Sequence, residues 1–112
     1  MHINIKASNL ELTPALKTYI EEKMLVLEKY LGNVIKVINF DFEIEMAVGG
    51  QNKGEIFRAE ANIEIPGNLL RVEKTERDMY KAIDKVRDHL ELVIKKQKEK
   101  IEDKRKKKRK KK

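Results

Sequence analysis

The chain has 112 residues, 40% of them charged, with no cysteine and a net charge of +7. That length gives room for one domain with one modest core. The lack of cysteine excludes a disulfide framework, a thiolate metal site and a cysteine nucleophile, and fits a reducing, cytoplasmic setting. The charge is unevenly spread: residues 104–112 are all Lys or Arg, leaving 17 basic and 19 acidic side chains in residues 1–103. A near-neutral body with a cationic end suits a docked domain carrying an electrostatic arm for a polyanion.

Residues 2–7 alternate, with Ile3, Ile5 and Ala7 on one side and His2, Asn4 and Lys6 on the other, which predicts a half-buried strand. They lack the apolar block of a signal peptide. Thr13-Pro14 predicts a helix start, with Thr13 as N-cap and proline at the first helical position. Leu16, Ile20, Met24, Leu27 and Leu31 mark its buried face, and Gly32-Asn33 its stop. Tyr19, Lys23, Val26 and Tyr30 share a second side. They are expected to widen the contact with a second helix, Lys23 snorkelling out or lining a basic seam.

Residues 34–48 alternate again, with Ile38, Phe40, Phe42, Ile44 and Met46 on one face and Val37, Asn39, Asp41, Glu43 and Glu45 on the other. A glycine-rich hairpin loop, residues 49–54, leads into a strand over 55–65. There Phe57, Ala59, Ala61, Ile63 and Ile65 point inward and Arg58, Glu60, Asn62 and Glu64 outward. Pro66-Gly67-Asn68 is a turn, and Leu70 and Val72 point inward from a short last strand with Arg71 and Glu73 outward.

A long helix follows, with Thr75 as its expected N-cap and Asp78 as the acidic half of a capping box. Met79, Ile83, Val86, Leu90, Val93 and Ile94 form one apolar stripe. Asp84, Asp88, Glu91 and Glu99 fall on one flank of it; Lys85, His89, Lys96 and Lys100 fall on the other, with Lys81 at its border. Such a helix can press its basic edge on a polyanion and keep its acidic edge in water; the plainer alternative is a solvated helix made soluble by mixed charge.

The order β-α-β-β-β-α, with one apolar face per strand, predicts an α+β two-layer sandwich: a four-stranded sheet with two helices on one face. The domain is expected to span 1–101. The basic tail, 102–112, is expected to be disordered, because its like charges repel and it has little apolar surface to bury. The bare sheet face carries Asp41, Glu43, Glu45, Glu60, Glu64 and Glu73 and should repel phosphate, so a nucleic-acid surface belongs on the helical side.

Little in the sequence points to catalysis. His2 and His89 lie on different elements, and neither clusters with the further ligands that zinc needs. Ser8 is the only serine, no phosphate-binding glycine motif occurs, and the carboxylates face solvent, so no cofactor and no metal are expected. No apolar run nears the ~20 residues that span a bilayer, so no membrane partner is expected. Gly49-Gly50-Gln51 resembles the catalytic loop of peptidyl-tRNA hydrolysing release factors, but it sits where a hairpin turn needs glycine anyway, and Met46-Ala47-Val48 precedes it instead of that family's Ser/Gly/Pro-rich approach. A ribosome-rescue hydrolase is therefore a minor alternative to a binding protein. A general double-stranded RNA binder is another.

The segment Asp78-Met79-Tyr80-Lys81-Ala82-Ile83-Asp84 resembles the hallmark stretch of the ribosome hibernation promoting factor family, also called ribosome-associated translation inhibitors. Asn4-Ile5, Leu12-Thr13-Pro14-Ala15-Leu16 and Leu27-Glu28-Lys29-Tyr30 resemble that family's first strand and helix, so the likeness covers about residues 2–100. The resemblance implies a non-enzymatic cytoplasmic protein that binds the small (30S) ribosomal subunit and its 16S rRNA. It implies a place in the decoding channel, in competition with mRNA and A- and P-site tRNA, and translation shut down under stress or in stationary phase. Matching basic positions are Lys17, Lys23 and Lys29 on the first helix and Lys96 and Lys100 on the second. With Lys81, Lys85, His89, Lys104 and Arg105 from the charge pattern they make the expected rRNA-binding set. Val26, His89 and Leu92 depart from the family's usual Lys or Arg. The chain resembles the short form, expected to be monomeric off the ribosome.

Overall fold

The computed structural model describes residues 1–48 and 54–110. The elements are β1 (Asn4–Ser8), α1 (Pro14–Leu25), α2 (Glu28–Leu31), β2 (Asn39–Val48), β3 (Glu55–Ile65), β4 (Asn68–Glu76) and α3 (Met79–Lys110). The four strands lie in the order β1-β2-β3-β4, with β1 parallel to β2 and the other pairs antiparallel. Helices cover one face, which is the expected sandwich. The loop holding Gly49-Gly50-Gln51 lies outside the described residues.

One core joins the layers. Phe40, Phe42, Ile44, Ala59, Ala61, Ile63 and Val72 rise from the sheet to meet Ile20, Met24 and Leu27 below α1 and Met79, Ile83, Val86, Leu90 and Ile94 along α3. No charged or polar residue is buried among the described residues. The period-2 and period-3.6 patterns therefore place most of the same residues inside that the packing does.

Four local features differ from the sequence expectation. The first helix is not continuous: α1 ends at Leu25, and a turn at Val26-Leu27 offsets the single turn of α2. The expected ends hold, since Thr13 Oγ1 accepts the Leu16 N–H at 3.2 Å and Gly32 stops α2 at φ +52°. Thr75 is not a helix cap. It continues the β4 ladder opposite Arg58, where its β-branched side chain suits a strand. Asp78 is the cap, its carboxylate accepting the Tyr80 N–H at 2.9 Å. Ile38 is exposed, not inward, because β2 enters the sheet only at Asn39; Val37, expected outward, packs against the core instead.

The fourth difference is the tail. Residues 102–110 continue α3 as helix, where the composition predicts disorder. Lys and Arg are good helix formers, and extending an existing helix avoids the cost of nucleation. Cations are also favoured near a helix C-terminus. The molecule is accordingly 62 Å long but only 19 Å thick.

Candidate nucleic-acid interface

The open sheet face carries the six expected carboxylates, interleaved with cations. Arg58, central on β3, donates to Glu43 at 2.6 Å, Glu45 at 2.8 Å and Glu60 at 3.0 Å. Arg71 spans Glu60 and Glu73 at 3.0 and 3.4 Å. Hydrogen bonding to Glu45 first, against the cost of burial, raises the Arg58 pKa. Burial pushes the Glu60 carboxyl up, but hydrogen bonds from Asn62 and Arg71 outweigh it and hold Glu60 below the usual carboxylate range. The face is thus a cross-strand ion-pair lattice with carboxylates in excess, and phosphate gains nothing there.

The two flanks of α3 meet different neighbours. The acidic flank is divided: Asp88 and Glu99 are exposed, while Asp84 and Glu91 turn toward the other helices. On the α1 side Asp84 accepts the Tyr19 hydroxyl at 2.5 Å and pairs with Lys23 at 3.6 Å. The Tyr19 ring meets Tyr80 edge-on at 4.8 Å, with the Lys23 ammonium 5.2 Å from its centroid. One step along the seam, Glu91 pairs with Arg87 and Lys95, both at 3.2 Å, while Lys29 and Lys95 sit 5.0 and 4.8 Å from the centre of the Tyr30 ring. The hydrogen bond from Lys95 lowers the Glu91 pKa despite some desolvation. The tyrosines therefore widen the helix contact as expected, and Lys23 is tied into that seam.

The basic flank lies along β4. Its first member, Lys85, is paired with Glu76, which the contact holds below the ordinary carboxylate pKa. Farther on, Lys96 and Lys100 stand beside Asn68, Leu69, Leu70 and Arg71 of β4. Lys104 and Lys107 continue past the Pro66-Gly67-Asn68 turn. Among the described residues none of these four lysines has a carboxylate oxygen within 4.0 Å.

The expected set thus divides. Lys96, Lys100 and Lys104 come together on one exposed edge. Lys81, His89 and Arg105 are also exposed on α3, outside that edge cluster. Lys17 is exposed on α1, away from the others, and Lys29 lies against Tyr30. Lys23 and Lys85 are engaged with carboxylates. Asn68 and Gln97 join the edge without having been singled out, because the adjacency of the last strand to α3 has no local signature. Among the described residues no three His, Asp or Glu side chains gather as a metal site, and no helix is long and apolar enough to cross a membrane.

Comparisons with known proteins agree with this architecture. The Thermus thermophilus Protein Y N-terminal domain superposes with a TM-score of 0.66 at 32% identity, covering 86% of this chain and 98% of that one. A ribosomal subunit interface protein from Coxiella burnetii shares the fold, with a TM-score of 0.63 at 24% identity over 88% of this chain and 98% of that one. A ribosome hibernation promoting factor of Pseudomonas putida is 31% identical over 89% of both chains, and the ribosome-associated factor Y of Haemophilus influenzae is 34% identical over 94% of this chain and 90% of its own length. The ribosome hibernation promotion factor of Bacillus subtilis is 35% identical over 90% of this chain. The chain spans about half the length of that protein and of its Deinococcus and Lactococcus counterparts. The family described as sigma 54 modulation protein / S30EA ribosomal protein matches residues 3–102, and the chain, with that family's fold along its whole body, belongs to it.

Proposed function

We propose that this chain is a ribosome hibernation factor that acts without catalysis, by binding and occlusion. The observation that carries the proposal is the opposition of its two surfaces. Carboxylates crowd the open sheet, while lysines without carboxylate partners among the described residues line the outer edge of α3. Relatives that share the fold are named hibernation or ribosome-associated factors. The helical side meets 16S rRNA of the small subunit, Lys96, Lys100 and Lys104 neutralise phosphates, and the body fills the decoding channel in place of mRNA and A- and P-site tRNA. Lys17, Lys29, Lys81, His89 and Arg105 add weaker contacts elsewhere on the helical side. Lys23 and Lys85 shape the surface through their ion pairs.

Pelleting with 30S subunits across a salt series tests the proposal. Affinity should fall with a log–log slope of roughly −0.7 to −0.9 per neutralised phosphate. Lys96, Lys100 and Lys104 all changed to Glu should abolish pelleting and restore translation in a cell-free system. Undiminished pelleting of that variant would overturn the assignment of the face.

A further inference from the structure

The basic edge is one wall of a groove, and the shape of the groove narrows the kind of RNA it takes. Between the β3–β4 turn and the end of α3 lies an open trough of about 540 Å³, lined by Pro66, Asn68, Gln97, Lys100, Lys104 and Lys107. It runs into a smaller one of about 260 Å³ between β4 and α3, lined by Leu70, Val93 and Lys96, with Arg71 also at its border but its guanidinium turned to Glu60 and Glu73 on the open sheet. Asn68, Gln97 and Lys100 belong to both, so the two are continuous. Asn68 donates to Gln97 at 3.2 Å and ties the turn to the helix. A single carboxylate, Asp103, interrupts the lining.

Lys96, Lys100, Lys104 and Lys107 follow one another at intervals of four, four and three residues. At 1.5 Å rise per residue, four residues advance about 6 Å, a step comparable with that between successive phosphates of one strand. The cations run in single file above an apolar floor. A duplex offers two backbones across a wide, shallow groove and is gripped at several separated places, which a single file cannot match. A single strand needs what this groove has, a cationic track beside an apolar surface for unstacked bases.

We propose that the groove between β4 and the C-terminal half of α3 binds a short single-stranded RNA segment, phosphates along the lysines and bases toward the partly exposed Val93 and Ile101. This rests on the reading that the basic helical side meets RNA, and it specifies the strand state of that RNA.

The test is fluorescence anisotropy of the full chain with a labelled oligouridylate and with an RNA duplex of the same length. The single strand should bind about tenfold or more tighter at equal salt. Lys100→Glu with Lys107→Glu should lose most of that binding, and Lys100→Gln with Lys107→Gln part of it. Lys6→Glu, one such charge reversal on the open sheet, should not alter it, and circular dichroism should report the same fold for all. Equal affinity for duplex and single strand, or an equal loss in Lys6→Glu, would overturn the groove. Pelleting with 30S subunits separates the two claims: binding to subunits without a strand preference sinks only the groove, whereas a strand preference without pelleting sinks only the hibernation reading.

Discussion

Tyr19 shows how one side chain sets the geometry of the helical layer. Its hydroxyl spans from α1 to Asp84 on α3, its ring meets Tyr80, and Lys23 stands over it while reaching the same carboxylate. Removing the hydroxyl in Tyr19→Phe leaves Asp84 Oδ1 with only the longer Lys23 pair and should cost about 1 kcal/mol, since solvent reaches the site; urea denaturation at neutral pH measures it. The hydrogen bond to Asp84 first, then burial, pushes the Tyr19 pKa from 10.0 to about 12. The folded value lies above the unfolded one, so the contribution is complete below pH 10 and lost as pH rises toward 12. The stability gap between wild type and Tyr19→Phe should close over that interval, and one of the three tyrosines should ionise later than the others in an absorbance titration.

At the level of elements, the sheet and α3 solve opposite charge problems. On the sheet, Arg58 stands among Glu43, Glu45 and Glu60, and its removal leaves three carboxylates facing one another. Arg58→Met should cost about 2 kcal/mol at neutral pH, read as a lower thermal midpoint. Glu60 has a lowered folded pKa, so its contribution is present above the ordinary carboxylate value and lost as pH falls through the folded one. The penalty of Arg71→Met, which removes part of that hold on Glu60, should therefore shrink as pH falls below 4.5. On α3 the charges are sorted by neighbour: acids toward the cations of the α1–α3 seam, lysines toward the edge beside β4.

For the whole molecule, the result is two-faced: a carboxylate-rich sheet on one side, a cationic helical edge on the other, and a basic helical end projecting beyond the body. Residues 104–108 are exposed and outside the core, although Lys104 and Lys107 line the groove. Deleting 104–112 should leave the thermal transition of the body unchanged and weaken pelleting with 30S subunits. A lost transition would mean that the end of α3 is part of the folding unit.

The sequence by itself determined the element order, the single covered face of the sheet and nearly all of the core, because burial follows the period of each element and that period is local. It also located the Thr13 cap and the sorted charges of α3. Only the tertiary structure decided which cations are available. Lys23 and Lys96 look alike in sequence, yet one faces Asp84 across a helix seam and the other faces solvent beside β4. Likewise Thr75 became strand because β3 offers it a partner, and Asn68 joined the groove because β4 is the strand beside α3. Pairing across the chain fixes these outcomes, since an ion pair depends on distance in space and the local pattern reports only spacing along the chain.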